Sequence, residues 1–223
     1  MADGFHPPLE EYLETIHALA EEGVAVIQAR LVERLGHSPQ AVSEMVRRLA
    51  DDGYVARSGR GVALTERGAT LAASVVRRHR LAERFLVDVV GLPWTKAHLE
   101  AGRWEHVISD EVEARFVEIL GNPTTCPHGN PIPGAAVDPA PQRALAQAET
   151  GEHVRLARIT EQIEIDADAL AYLDENRLVP GRHAFVAARA PDGTVMLELD
   201  VEGEPRTVAV GAVMSRQLYV TTG

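Results

Sequence analysis

With a single cysteine, Cys126, in 223 residues, the chain can make no internal disulfide. It holds no apolar run long enough to cross a bilayer, which excludes a membrane-spanning helix. The opening residues, Met1-Ala2-Asp3-Gly4, lack the positive stretch and apolar core of a secretory signal. Together these absences make the cytoplasm the expected compartment, with no membrane partner. Aromatic residues are scarce at 4%, yet 45% of the chain is hydrophobic and 25% charged, the balance of a soluble globular protein. The length suits two or three small units, each able to bury a core.

Positive charge is also in deficit. Lys and Arg number 22 against 33 Asp and Glu, a net charge of -11 that at first argues against a nucleic-acid partner. The distribution reverses the argument: residues 1–23 carry six acids and no base, residues 24–80 carry ten Arg against five acids, and the remainder carries twelve bases against twenty-two acids. The one basic segment is the one whose pattern can read DNA.

Leu9, Tyr12, Leu13, Ile16 and Leu19 recur at helical spacing between Pro7-Pro8 and Gly23, so residues 9–22 are expected as an amphipathic helix. A short helix over about 28–35 ends at Gly36. Ser38-Pro39 then supplies an N-cap and a proline at the first helical position of a third helix running to about Asp52. Tyr54 to Arg57 and Val62 to Leu64, joined by Ser58-Gly59-Arg60-Gly61, form a two-stranded hairpin. Helix, short helix, turn, helix, hairpin is the order of a winged helix-turn-helix.

A long helix is expected over 66–89, and two more over Trp94 to His106 and Asp110 to Leu120, whose surplus of Leu, Val and Ile suits a dimer interface. Residues 121–142 are proline- and glycine-rich and read as a linker. Alternating apolar residues over 152–223 imply a small β-rich barrel, interrupted by a short helix near 166–174.

On the third helix Gln40, Ser43, Glu44 and Arg47 fall at i, i+3, i+4 and i+7, opposite the apolar stripe and free to enter a major groove. Arg47 and Arg48 suit phosphates, and Arg57 and Arg60 sit on the wing. The plainer alternative is an ordinary solvated face. The tight Gly36-His37-Ser38 turn, the two wing arginines and the local positive charge favour DNA.

Metal-ligating residue types recur elsewhere. Glu11 and Glu14 project from one side of the first helix, and His79 and Glu83 share a face of the long one. On a continuous 94–106 helix, His98, Gly102 and Glu105 cluster, with His106 beside them, but His98 and His106 stand about 12 Å apart in rise, too far for one ion. Two metals fit better than one. Each residue alone also has an ordinary role: solvated acids, a surface helix pair, a buried small cysteine.

Three stretches, Arg78-His79-Arg80-Leu81-Ala82-Glu83-Arg84, Arg103-Trp104-Glu105-His106-Val107-Ile108-Ser109-Asp110-Glu111-Val112-Glu113 and Gly129-Asn130-Pro131-Ile132-Pro133-Gly134, closely resemble the diphtheria toxin repressor family of metal-dependent regulators. The resemblance spans essentially the whole chain. It implies a winged helix (1–73), a helical dimerisation and metal-binding domain with the proline-rich linker (74–142), and an SH3-like domain (143–223), a mainly α protein with a small β part.

By resemblance, one site takes His79, Glu83 and His98, with Asp166 reaching in from the SH3-like domain. Family members often carry a glutamine three residues beyond that acid, where this chain has Ala169. The activating site takes Glu105 and His106 with first-helix residues. The iron-responsive branch's first-helix methionine corresponds to Glu11 and its cysteine to Gly102, so both soft ligands are gone. Glu11 and Glu14 match the carboxylates of manganese-responsive members. Cys126 and His128 lie where other manganese-type members draw ligands, and Gly102 leaves room for that loop.

Such an oxygen-rich site suits Mn(II), with Fe(II) the alternative, at two ions per subunit. The expected protein is therefore a homodimeric regulator, not an enzyme, in which metal ties Glu11 and Glu14 to Glu105 and His106. Its operator is an inverted repeat in double-stranded DNA, which two dimers can share. The rivals are an iron-dependent repressor of the same family, a MarR-type regulator answering to an organic ligand, and a dinuclear metallohydrolase.

Overall fold

The computed structural model describes residues 8–136 and 140–223; Pro7, Pro139 and the opening Met1-Ala2-Asp3-Gly4 lie outside the described residues. Helices α1 (Pro8–Glu21), α2 (Gln28–Leu35) and α3 (Pro39–Asp51) precede a hairpin of β1 (Val55–Ser58) and β2 (Gly61–Leu64). Tyr12, Leu13, Ile16 and Leu19 of α1 close one core with Leu31, Val42, Val46, Leu49, Val55 and Val62. The α3 start is as its residues dictate: Ser38 accepts from the Ala41 N–H and Pro39 takes the first turn, where no N–H partner is needed. The strands pair antiparallel with Ser58 opposite Gly61. Helix α4 (Glu66–Phe85) packs so close to the turn leading into β1 that a Cβ on Gly68 would fall 2.0 Å from the Tyr54 carbonyl oxygen.

The expected long helix is α-helical only to Phe85 and continues as a π-helical turn, Leu86–Val90, closed by Gly91 in the left-handed region. Helix α5 spans Trp94–Ala101 and α6 Asp110–Ile119. The expected continuous helix to His106 is thus not formed. Gly102, a poor helix residue, ends α5, and turns carry residues 102–107. A second core gathers Leu81, Ala82, Leu86, Ala101, Ile108, Phe116 and Ile132.

The stretch expected as a linker is packed instead. Cys126, His128, Asn130 and Ile132 are all buried. Gly129, at φ +87°, lies against the sheet so tightly that a Cβ would sit 2.0 Å from the Ala157 carbonyl oxygen. The segment folds back on itself, the Cys126 N–H donating to the Asn130 carbonyl and the Ile132 N–H to the Thr124 carbonyl, both at 2.9 Å, and docks in that form.

The C-terminal unit is a six-stranded antiparallel sheet built from β3 (Arg143–Ala144), β4 (His153–Ile159), β5 (His183–Arg189), β6 (Val195–Val201), β7 (Glu204–Val210) and β8 (Leu218–Thr222), in the order β3-β8-β4-β5-β6-β7. The turns at Pro191-Asp192-Gly193 and Glu202-Gly203 join β5 to β6 and β6 to β7. Two helices, α7 (Glu161–Glu164) and α8 (Ala167–Glu175), are inserted between β4 and β5 and face the helical region. Tyr219 donates to the Glu22 carbonyl (3.0 Å), and Arg158, its guanidinium 4.0 Å from the Tyr219 ring, donates to the Glu21 carbonyl (3.4 Å). The sheet thereby holds the C-terminal end of α1, where cations are favoured.

Candidate metal centre

One turn of α4 carries His79 and Glu83 into the interior, where both are buried. His79 Nδ1 engages the Glu105 carboxylate, and His79 Nε2 lies 3.0 Å from His98 Nδ1 and 3.3 Å from Glu83 Oε1. His98 Nδ1 is 2.8 Å from Glu164 Oε2, and His128 Nδ1 is 3.1 Å from Glu83 Oε1. Among the described residues three sets of donors come within 4.8 Å of one another: His79, Glu83, His98 and Glu164; Glu83, Cys126 and His128; Glu14, His79 and Glu105. His79 and Glu83 each belong to two sets, so the centre is a continuous row of imidazoles and carboxylates.

Glu11, Glu14, His79, His98, Gly102 and Glu105 line one cavity of about 250 Å³. The acids of α1 therefore face the segment around Trp104 across a shared space. His106 stands beside this cavity: its Nε2 is 3.0 Å from Glu105 Oε1 and its Nδ1 2.6 Å from Glu10 Oε2. Glu10, absent from the residues expected at the site, is thus an α1 partner of the centre.

The crowding sets the charges. Burial, reinforced by the Glu105 carboxylate, pushes Glu14 up to about 8. For Glu105 burial acts upward, but His79 and His106 outweigh it and hold the acid at about 2. Burial likewise opposes charge on His98, which its bonds to Glu164 and Glu83 nevertheless raise to about 10. Cys126 is driven well upward by burial and by Glu83 and Glu164, so its thiol stays protonated when no cation is near. Among the described residues Glu83 Oε2 is buried without a hydrogen-bond partner, and His128 Nδ1, also buried, has the Glu83 Oε1 contact at 3.1 Å but no well-formed hydrogen bond. Leaving such atoms unsatisfied costs about 1–3 kcal/mol each, more for a charged group. A carboxylate and an imidazole from one donor group, each with an unsatisfied buried atom, are ligands that a divalent cation satisfies, so the residues fit a metal.

Two expectations require correction. Asp166 does not reach the centre; it caps α8, accepting from the Asp168 and Ala169 N–H groups. The acid on this side is Glu164, with Glu161 lining the cavity. Carboxylates three apart in Glu161-Gln162-Ile163-Glu164 were the available signal. Cys126 and His128 do not fill the space beside Gly102; they join Glu83, in a loop that Gly129 anchors to β4.

Most of the residues expected to face DNA share one exposed surface. Pro39, Gln40, Ser43, Glu44, Arg47 and Arg57 line one open groove. Arg60 is exposed on the wing, Arg48 is exposed with Asp52 at 3.8 Å, and Ser38 is exposed while capping α3.

Residues 5–63 match the family profile described as iron dependent repressor, N-terminal DNA binding domain, and residues 65–134 match that described as iron dependent repressor, metal binding and dimerisation domain. The chain belongs to the diphtheria toxin repressor family. It is 44% identical over 200 residues to the iron-dependent repressor IdeR of Mycobacterium tuberculosis, covering 84% of this chain and 86% of that one. To the diphtheria toxin repressor of Corynebacterium diphtheriae it is 40% identical over 198 residues, covering 84% and 87%. Among solved structures, a manganese-dependent transcriptional repressor in complex with manganese superposes with a TM-score of 0.88 at 33% identity, covering 96% of this chain and all of the other. Family membership makes this chain a metal-dependent, DNA-binding, dimeric transcriptional repressor and sets aside both the MarR-type and metallohydrolase readings. No helix among the described residues is long and apolar enough to cross a membrane.

Proposed function

We propose that this family member is a cytoplasmic, manganese-responsive repressor holding two ions per subunit. The observation that carries the proposal is the shared cavity in which Glu14 of α1 meets His79 and Glu105. Glu11, Glu14, Glu105, His79 and His106 offer only oxygen and nitrogen, with Glu11 and Gly102 standing where the iron-responsive branch has sulfur, and hard oxygen donors favour Mn(II) over Fe(II). The second ion's ligands are drawn from Glu83, His98, His128, Glu164 and Cys126. Asp166 is not among them.

A bound divalent cation supplies the positive charge that lets these carboxylates ionise together and links α1 to the middle helices. The chain's own residues convert that link into DNA binding. Tyr12, Leu13 and Ile16 of α1 are part of the core that seats α3, so holding Glu14 against Glu105 and His79 also fixes the face of Gln40, Ser43, Glu44 and Arg47. Without the link, Glu14 can stay against Glu105 only by keeping a proton that it would release in water, a cost that favours separation of α1 from the centre. Shifting such an equilibrium from 1:99 to 99:1 takes about 5.5 kcal/mol of differential affinity. A two-fold dimer sets its recognition helices one DNA turn apart, which calls for an inverted-repeat operator. Operator binding with Mn(II), Fe(II) or chelator, for wild type, Glu14→Ala and His106→Ala, tests this. Equal binding under chelation ends the proposal.

A further inference from the structure

Trp94 opens α5 one helical turn before His98, and its side chain crosses to the C-terminal unit, where the indole Nε1–H donates to Asp174 Oδ1 of α8 at 2.7 Å. The same residue meets the metal centre twice. Its carbonyl oxygen lies 3.0 Å from His128 Nε2, and its ring centroid lies 5.3 Å from that of His128. The His128 main chain is held from the other side, where its carbonyl accepts the Ile159 N–H at 3.0 Å. With Nε2–H donating to Trp94, only Nδ1 is left to turn toward Glu83 and Glu164, at 3.1 and 3.5 Å.

We propose that Trp94 and Asp174 are positioning residues for the metal centre: Asp174 pins the indole, and Trp94 in turn fixes the His128 ring with Nδ1 aimed at the Glu83–Cys126–His128 group. This rests on reading that group as a ligand set. It gives the C-terminal unit a hold on the centre beyond any ligand it supplies, since freeing Asp174 loosens Trp94, the start of α5 and the His128 ring together. Outer partners that orient a ligating imidazole typically change metal affinity about 10- to 100-fold when lost. The pin borders an open cleft of about 550 Å³, and because Trp94 also packs on the core of the C-terminal unit, Phe is the replacement that removes the indole N–H while keeping an aromatic ring there.

The experiment is titration of full-length protein with Co(II), reading the sulfur-to-cobalt charge-transfer absorption that reports Cys126 alone, in wild type, Asp174→Ala, Asp174→Asn and Trp94→Phe. Asp174→Ala and Trp94→Phe are expected to weaken the site reporting through sulfur about tenfold, with unchanged circular dichroism. Asp174→Asn, which keeps a carbonyl acceptor for the indole, is expected to stay within about twofold of wild type. Wild-type affinity in both Asp174→Ala and Trp94→Phe overturns the pin while leaving the ligand set standing, as does a Asp174→Asn loss equal to that of Asp174→Ala. Absence of the sulfur absorption in wild type removes the ligand set and the pin together.

Discussion

Replacing Glu14 by Gln should make the metal-free protein more stable and the metal-loaded protein less so. Glu14 is an acid whose proton affinity the fold raises, from 4.5 to about 8, through burial and the neighbouring Glu105. The folded state therefore keeps a proton that the unfolded state has released, and stability falls as pH rises across that window. At about 1.36 kcal/mol per tenfold in proton affinity, the cost is about 3 kcal/mol at pH 7 and about 5 kcal/mol above pH 8, ceilings because the cavity admits water. Glutamine has the shape of the protonated acid and never ionises. At 2–4 °C per kcal/mol for a chain of this size, metal-free Glu14→Gln should melt roughly 6–12 °C above wild type at pH 7, further above it at pH 9, and level with it near pH 4. Saturating Mn(II) should invert the order, because only wild type then has the carboxylate to offer and a ligand stabilises the state that binds it. Melting in chelator and in Mn(II), at pH 4, 7 and 9, reads all of this. Coincident metal-free melts at pH 7 and 9 would show Glu14 to be an ordinary solvated acid and defeat the electrostatic account.

Loading with Mn(II) at pH 7 should expel protons, since Glu14 (about 8) and His98 (about 10) hold theirs in the metal-free protein. Calorimetric heats that do not vary with the ionisation enthalpy of the buffer would contradict this. Cys126→Ser should leave manganese-dependent operator binding intact, and its complete loss would instead mark the thiolate as obligatory. Arg47→Ala, on the exposed face of α3, should weaken binding to every duplex and lower the salt slope by about one; an unchanged slope would remove Arg47 from the phosphate contacts. Arg158→Ala removes donors to Asn130 (3.2 Å) and to the Glu21 carbonyl, and should cost about 1–3 kcal/mol in urea unfolding. A change within error would mean that the C-terminal unit does not brace α1.

The local grammar of this chain was decided by its residues in order. Apolar spacing put Tyr12, Leu13, Ile16 and Leu19 on one side of α1, Ser38-Pro39 started α3, and Gly59 turned the wing, because capping, proline restriction and left-handed turns act over three or four residues. The same short range made His79 and Glu83 partners on α4. What lies beyond it needed the folded molecule. Gly102 ended α5 early, so the residues after it left the helical path and brought Glu105 onto His79, and the rise of about 12 Å between His98 and His106 that a continuous helix would set no longer applies. Glu164 in place of Asp166, Glu10 on His106, and the side of the centre on which Cys126 and His128 fall were all settled by contacts between segments far apart in the chain. Those contacts depend on how α1, α4 and the C-terminal sheet pack, and no periodicity within one segment encodes the distance to another.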